Sequence, residues 1–219
     1  MQPDYLENTY IKRREELFSL IQIALVIAIA VIFASLFQSD ISSPRGISGA
    51  SMQPTFNNYA DYTNWGEVRD GAYITRLSPI RRGDIVVLKV AGKNESYIKR
   101  VIGLGGDEIM FVETVVEGRT YARVAVNGEL LQEDYLGQAY REHDYGFDIN
   151  KTPSTGEPIA VPPQCYYVLG DNRDNSSDSR ILGAISASDV EGKVYMKVTP
   201  EQSFWDGLRR LVFEHNNGM

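Results

Sequence analysis

Residues 97–129 read YIKRVIGLGGDEIMFVETVVEGRTYARVAVNGE, and this stretch decides the fold class. The stretch contains three short runs of β-branched and aromatic residues, separated by glycine-containing breaks: Tyr97–Ile102, Glu108–Glu113 and Tyr121–Val126. It ends in Asn127-Gly128, the strongest short hairpin signal, because both turn positions need a positive φ. The stretch therefore predicts consecutive antiparallel strands, without a helix between them.

The same pattern continues on both sides of this stretch. Further strand candidates are Ala72–Thr75, Ile85–Val90, Tyr166–Leu169 and Val194–Val198. Strands at this spacing predict a mainly β fold, an antiparallel sheet or barrel-like domain. Between the strands, the polar residues 131–163 predict an insertion or excursion, which we place at about 113–163. Near the end of the chain, Phe204–Phe213 has the apolar spacing of a short helix, which either closes the domain or lies on a membrane surface.

One apolar block sets the N-terminal part of the chain apart. Leu17–Phe37 has no charged residue and as a helix would be about 31 Å long, the thickness of the hydrocarbon layer of a bilayer. A cleavable signal peptide would have a shorter apolar core and a small-residue cleavage site, which Phe37–Asp40 lacks. A buried core helix is also disfavoured, because soluble helices rarely run this far without a charge. The block predicts a single uncleaved transmembrane anchor.

The charges that flank this block predict its orientation. Lys12, Arg13 and Arg14 precede it, and positive charge stays on the cytoplasmic side of a membrane. We therefore expect residues 1–16 to be cytoplasmic, 17–37 to span an inner or plasma membrane, and 38–219 to lie on the extracytoplasmic (periplasmic or outer) side.

Composition excludes several functional classes. The 219 residues carry a net charge of −7, whereas a nucleic-acid binder needs a basic surface. Cys165, the only cysteine, excludes an intrachain disulfide and a thiolate metal cluster. The histidines His143 and His215 lie outside any metal-ligand spacing, and the oxygen-rich run Asp171–Ser179 lacks the Gly and Glu of a calcium loop. We expect neither a metal ion nor a cofactor.

Three segments contain candidate catalytic groups. Ser51, between small residues and followed by an X-Pro turn, is a candidate nucleophile on a constrained loop. Lys99 lies in an apolar strand and shares a face with Tyr97 and Val101, so we expect it to be desolvated. Gly170–Arg180 is dense in polar residues directly after an apolar strand, which favours a buried network of hydrogen bonds and ion pairs.

Together these segments resemble the type I signal (leader) peptidases, membrane-anchored serine proteases with a Ser–Lys dyad. The matching pieces follow the family's order after a transmembrane segment: SMQPT, RRGDIVV (81–87), YIKRVIGLGGDEI (97–109) and GDNRDNSSDSR (170–180). The resemblance implies that Ser51 is the nucleophile and Lys99 the general base. It implies further that the Ser176 hydroxyl holds the lysine amine. In addition it implies that charged residues brace the site, namely Asp171, Arg173, Asp178 and Arg180.

The resemblance also implies a substrate and its pockets. The substrate class is the signal peptide of exported preproteins, with small residues at the first and third positions before the cut, and the site would rest on membrane lipid. The residues that fall where the family lines its pockets are Ile47, Phe56, Val87, Tyr97 and Ile98. Gly49 stands where some members have Ser or Thr in the oxyanion hole, so that hole would rely on the Ser51 N–H. Gly105 replaces a common proline, a change we interpret as harmless.

Physical chemistry adds two expectations about this site. Lysine in water is almost fully protonated at neutral pH, so Lys99 can act as a base only if burial lowers its pKa. A carboxylate beside the amine would restore the charge, so we expect Asp171, Asp174 and Asp178 to pair with Arg173 and Arg180. We also expect the peptide substrate to add as a strand along the Tyr97–Ile102 edge.

Three rival hypotheses remain. Ser51 could work with His143, as in histidine-dependent serine proteases. The chain could be a relative of the self-cleaving repressors, although those need a DNA-binding segment where this chain has an apolar block. Finally, it could be a catalytically inactive anchored β-domain that binds extracytoplasmic partners.

Overall fold

The computed structural model describes residues 3–41, 45–58, 68–90 and 95–199. These residues fall into two compact units, which divide between Ser43 and Pro44. The N-terminal unit is the helix α1 (Pro3–Ile41). Within the described residues, one helical segment is long and apolar enough by length and composition to cross a membrane: Arg13–Ser35, with 23 residues and a mean hydropathy of 2.8.

The second unit is built from antiparallel strands, as the sequence predicts. In the described part of the chain, its larger sheet has seven strands in the order β1-β2-β12-β3-β4-β10-β11. Their bounds are β1 Arg45–Ser48, β2 Val68–Thr75, β3 Ile85–Lys89, β4 Ser96–Leu104, β10 Cys165–Leu169, β11 Ile185–Ser186 and β12 Val190–Val198. The predicted fold class, mainly β with one N-terminal apolar helix, is confirmed.

A second sheet follows β4 in the chain. It has the order β7-β6-β5-β9, with β8 also paired to β6. Its strands are β5 Glu108–Val116, β6 Arg119–Val126, β7 Glu129–Leu130, β8 Phe147–Asp148 and β9 Ile159–Ala160. Most of the residues expected to form an excursion, 113–163, belong to this sheet and its connections, including the short helix α2 (Gln138–Glu142).

The predicted Asn-Gly hairpin is present between β6 and β7. Val126 is paired with Glu129, and Asn127 and Gly128 have φ values of 53° and 82°. The positive φ at both positions confirms the hairpin predicted from the sequence.

Two apolar clusters explain how the sheets hold the site. One packs the second sheet against β4 and β10 through fully buried side chains, among them Ile102, Phe111 and Tyr167. The other lies under the turn that follows β1 and consists of Ile47, Met52, Phe56, Ala72, Val87 and Ile98. The short helix α3 (Ser179–Leu182) follows the polar loop after β10. The helix predicted at 204–213 lies outside the described residues.

Candidate active site

Ser51 and Lys99 meet although 48 residues separate them in sequence. Ser51 lies in the turn after β1, and Lys99 lies on β4. The Lys99 Nζ donates hydrogen bonds to the Ser51 Oγ at 2.8 Å and to the Ile98 carbonyl at 2.8 Å. The pair therefore has the separation that proton transfer between a hydroxyl and an amine needs.

The environment of Lys99 favours its neutral form. The residue is 4% exposed, which confirms the predicted desolvation. Burial lowers the pKa of its amine from 10.5 to about 8, since an ammonium loses its hydration there. The carboxylates of Asp178 and Asp171 raise this pKa in part, and Arg180 lowers it. In the described residues no carboxylate lies within ion-pair distance of the amine.

The acidic residues near the site are paired, but not as the sequence suggests. Asp178 pairs with Arg180 at 2.8 Å, as expected. Asp171, expected to pair with Arg173 or Arg180, instead accepts two hydrogen bonds from Arg100 at 2.8 and 2.6 Å. The expectation is wrong there because Arg100, on β4, faces Asp171, while the Arg173 side chain turns into the interior.

Two further members of the expected network also have different partners. Arg173 is fully buried and binds both carboxylate oxygens of Glu133, at 2.8 and 2.5 Å. Asp174 accepts the Asp148 N–H at 2.9 Å and has no arginine partner in the described part of the chain. Glu133 could not be recognised from the sequence, because this residue lies in a polar segment that has the composition of a solvated loop.

Two asparagines that were not predicted to act at the site fix the loop that carries Ser51. The Asn172 backbone N–H donates to the Ser51 carbonyl at 3.0 Å, and its Nδ2 donates to the Ala50 carbonyl at 3.1 Å. On the other side, the Nδ2 of buried Asn57 donates to the carbonyls of Ile47 at 3.1 Å and Gly49 at 3.0 Å. Side-chain amides thus hold the carbonyls of Ile47, Gly49 and Ala50, which precede Ser51, and a backbone N–H holds the Ser51 carbonyl. These bonds limit how far the hydroxyl can move.

Ser176 lies in the cleft, but it does not hold the lysine amine as expected. Its Oγ is buried and has no partner at hydrogen-bonding geometry among the described residues, although its hydroxyl helps to lower the pKa of Asp178. The Lys99 Nζ instead donates hydrogen bonds to Ser51 and Ile98. The Ser176 hydroxyl therefore lies in the cleft without a hydrogen bond to another described residue.

Gly170 explains how Ser176 and Ser51 come so close. A Cβ on Gly170 would lie 2.2 Å from the Ser176 Oγ and 2.5 Å from the Ser51 carbonyl oxygen. These distances are far below van der Waals contact, so only glycine fits between the two serines. Gly105 is also in a close approach, with a Cβ position 2.9 Å from the Gln164 nitrogen, so a larger residue there would displace backbone.

Ser51 and Lys99 line an open cleft of about 1030 Å³. Four of the residues expected to form pockets also line it: Ile47, Val87, Tyr97 and Ile98. Phe56, the fifth, is 1% exposed and lies in the apolar cluster beneath the cleft, not on its surface.

A shorter length of strand edge is open to a substrate than the sequence predicts. β10 pairs with β4 from Arg100 to Leu104, so Val101 and Ile102 are already covered on that side. Among the described residues, only the first half of β4, up to Lys99, is left open there, and the expected edge Tyr97–Ile102 is wrong in its second half. Of the strands that the structure describes, β1 pairs with β2 alone, so no described strand covers its other side.

The histidine and metal ligands that other catalytic mechanisms would require are not part of the described site. His143 stacks on the Tyr121 ring at 4.5 Å and does not line the cleft. Within the described ranges, no group of three His, Cys, Asp or Glu side chains is placed to hold a metal ion.

Comparison with known proteins gives consistent matches. A family model described as signal peptidase, peptidase S26, matches residues 20–199. The chain is 37% identical over 169 residues to signal peptidase I P of Bacillus subtilis subsp. natto, which covers 76% of this chain and 82% of that protein. It is 31% identical over 193 residues to signal peptidase IB of Staphylococcus aureus strain Mu50, which covers 82% and 90%. A solved structure of a signal peptidase I from Enterococcus faecalis V583 is 30% identical with a TM-score of 0.39, covering 53% of this chain and 97% of that one.

Proposed function

The chain belongs to the signal peptidase family, peptidase S26, and we propose that it removes N-terminal signal peptides from exported preproteins as a membrane-anchored serine endopeptidase. Ser51 is the nucleophile and Lys99 the general base in this proposal. The observation that supports it is the 2.8 Å contact between the Ser51 hydroxyl and a lysine amine that is buried away from any ion-pair partner in the described chain.

The proposed reaction proceeds through an acyl-enzyme. Ser51 attacks the scissile carbonyl while the neutral Lys99 amine accepts its proton. The resulting ammonium passes that proton to the leaving amine, and the new N-terminus departs. A water molecule, deprotonated by the same amine, then releases the acyl group. The lowered pKa of Lys99, about 8, leaves a usable neutral fraction at neutral pH.

Backbone and side-chain groups around the dyad have supporting roles in this mechanism. The Ser51 N–H, which donates no hydrogen bond to any described residue, stabilises the oxyanion. Gly49 offers no side chain for that purpose. Arg180 pairs with Asp178 and offsets part of the effect of this carboxylate on the amine, and burial remains the largest influence on the pKa of Lys99. The Ser176 hydroxyl, which lies against Gly170 as the Ser51 carbonyl does, orients the amine in this proposal.

The cleft favours an extended peptide with small side chains. A substrate strand between the open side of β1 and the free half of β4 would form main-chain hydrogen bonds with either wall. Its alternate side chains would point toward the apolar floor formed by Ile47, Val87 and Ile98, beside Tyr97. Because this floor is closely packed, small residues at the first and third positions before the cut fit it best.

The apolar helix places this chemistry at a membrane in our proposal. Residues 17–37 anchor the chain, residues 1–16 stay in the cytoplasm, and 38–219 form the extracytoplasmic peptidase domain next to the lipid surface. Support comes from the apolar segment Arg13–Ser35 and from the basic residues before it. A site tethered in this way would meet a signal peptide as it emerges from the bilayer.

The test is cleavage of a preprotein by the full chain in detergent, with the product N-terminus identified by mass spectrometry. Wild type should cut after a small residue, and Ser51→Ala and Lys99→Ala should lose activity by about 1,000-fold or more. Matched controls are Ser188→Ala and Lys89→Ala, which remove an exposed serine and an exposed lysine. Cleavage retained by Lys99→Ala would exclude Lys99 as the general base. A wild-type chain without activity would favour the hypothesis of a catalytically inactive anchored domain.

A further inference from the structure

A short segment outside the matched motifs is tied into the site. Residues 131–137, between β7 and α2, insert Glu133 beneath the loop that follows β10, and the Glu133 side chain is 1% exposed. Its carboxylate accepts two hydrogen bonds from Arg173, whose side chain is fully buried. A two-bond contact of this kind fixes the plane of the guanidinium as well as its position.

Arg173 also contacts the backbone beside Ser51. Its Nε donates to the Gly170 carbonyl at 3.1 Å. Gly170 is the residue whose Cβ position lies 2.5 Å from the Ser51 carbonyl oxygen, and Asn172 donates to the same oxygen. Glu133 therefore fixes Arg173, Arg173 fixes Gly170, and Gly170 sets the position of the Ser51 loop.

The same segment reaches the other side of the dyad. The hydroxyl of Tyr135 donates to the Glu133 carboxylate, and its ring lies 3.8 Å from the guanidinium carbon of Arg100. Arg100 binds Asp171 with two hydrogen bonds and follows Lys99 directly in β4. The segment thus contacts Arg100 as well as Arg173.

We propose that Glu133 is a positioning residue, which aligns Ser51 with Lys99 through Arg173 and the Gly170 carbonyl. This inference rests on the proposed function. A role in stability alone does not explain the arrangement, because burying two charges costs about as much as their attraction returns, and apolar residues of similar volume often serve equally well. The bond to the Gly170 carbonyl, in contrast, cannot be supplied by an apolar side chain.

The test compares an isosteric single variant with an apolar double variant, using full-length protein in detergent. Glu133→Gln should lower kcat by about 10-fold to 100-fold and change KM by less than about twofold, because the misplaced groups are the reacting ones. The double variant Glu133→Leu with Arg173→Met should recover the thermal midpoint of the wild type but keep a low kcat, because Gly170 loses its donor Arg173. Asp144→Asn is the control, since its partner Arg123 does not line the cleft.

Several outcomes would overturn the proposal. A wild-type kcat in Glu133→Gln would do so, and so would a double variant that recovers both the thermal midpoint and kcat, since the pair would then be structural only. A rise of KM alone would assign Glu133 to substrate binding instead. Failure of the proposed function is distinguishable, because either the wild-type chain would not cleave the preprotein or Ser51→Ala would stay active, whatever the Glu133 variants do.

Discussion

Replacing Lys99 by methionine should abolish cleavage and yet stabilise the protein at neutral pH. Lys99 is 4% exposed, and burial lowers the pKa of its amine from 10.5 to about 8. The unfolded chain regains the ordinary pKa, so at pH 7 the fold holds an ammonium in an environment that disfavours it. The pKa difference corresponds to about 3 kcal/mol of stability forgone. Losing the hydrogen bonds to the Ser51 hydroxyl and the Ile98 carbonyl costs about 0.5 kcal/mol each, so the expected net gain is about 2 kcal/mol.

The dependence of this gain on pH has a definite sign. Between the folded pKa of about 8 and the unfolded pKa of 10.5, the unfolded wild type binds more protons than the folded protein. Wild-type stability therefore rises with pH in that window, while the methionine variant has no such group. The advantage of the variant should shrink by about 2.5 kcal/mol between pH 7 and pH 10, and end close to zero or slightly negative.

The assay is urea unfolding of the full chain in detergent micelles, followed by far-ultraviolet circular dichroism at both pH values. Lys89→Met is the matched control, because it removes an exposed lysine from β3 and should change the unfolding free energy by less than about 0.5 kcal/mol. If Lys99→Met is no more stable than wild type at pH 7, burial of the ammonium does not destabilise the fold as predicted. A gain in unfolding free energy that is the same at both pH values would equally contradict the prediction.

Two further variants probe the geometry and the charge of the site. Gly170→Ala should lower kcat by about 10-fold or more, because its Cβ would overlap the Ser51 carbonyl, whereas the control Gly137→Ala has no atom closer than 3.8 Å and should keep wild-type kinetics. Equal kinetics for the two alanine variants would exclude tight packing against the nucleophile loop. Asp178→Asn should move the rise of activity to lower pH, because this carboxylate raises the pKa of Lys99. A rise that stays in place or moves to higher pH would contradict this assignment.

Local patterns in the sequence were sufficient to predict the strands and their class. Six of the seven predicted strands lie within observed strands, and the seventh, Ile85–Val90, extends one residue past β3. Asn127-Gly128 makes the expected turn. These predictions succeed because side-chain alternation and turn chemistry depend on neighbouring residues. Which strands lie side by side is not a local property. The pairing of β10 with the second half of β4 therefore changed the expected substrate edge.

The catalytic pair could be predicted because Ser51 and Lys99 lie in motifs that resemble a known family. The ion pairs could not be predicted from the same motifs. Arg173 finds Glu133 at a separation of 40 residues, across a segment whose composition is that of a solvated loop. The alternation of charges within 170–180 suggested ion pairs inside the loop. Arg173 instead pairs with Glu133, which lies in another part of the chain.

In the proposed mechanism, a neutral amine on Lys99 activates Ser51. The most direct measurement is the pH dependence of kcat/KM for preprotein cleavage by the full chain in detergent. We predict a single ascending limb with its midpoint near the folded pKa of Lys99, about 8. A midpoint near 6.5, the ordinary pKa of a histidine, or activity that does not change between pH 5 and 9, would contradict it.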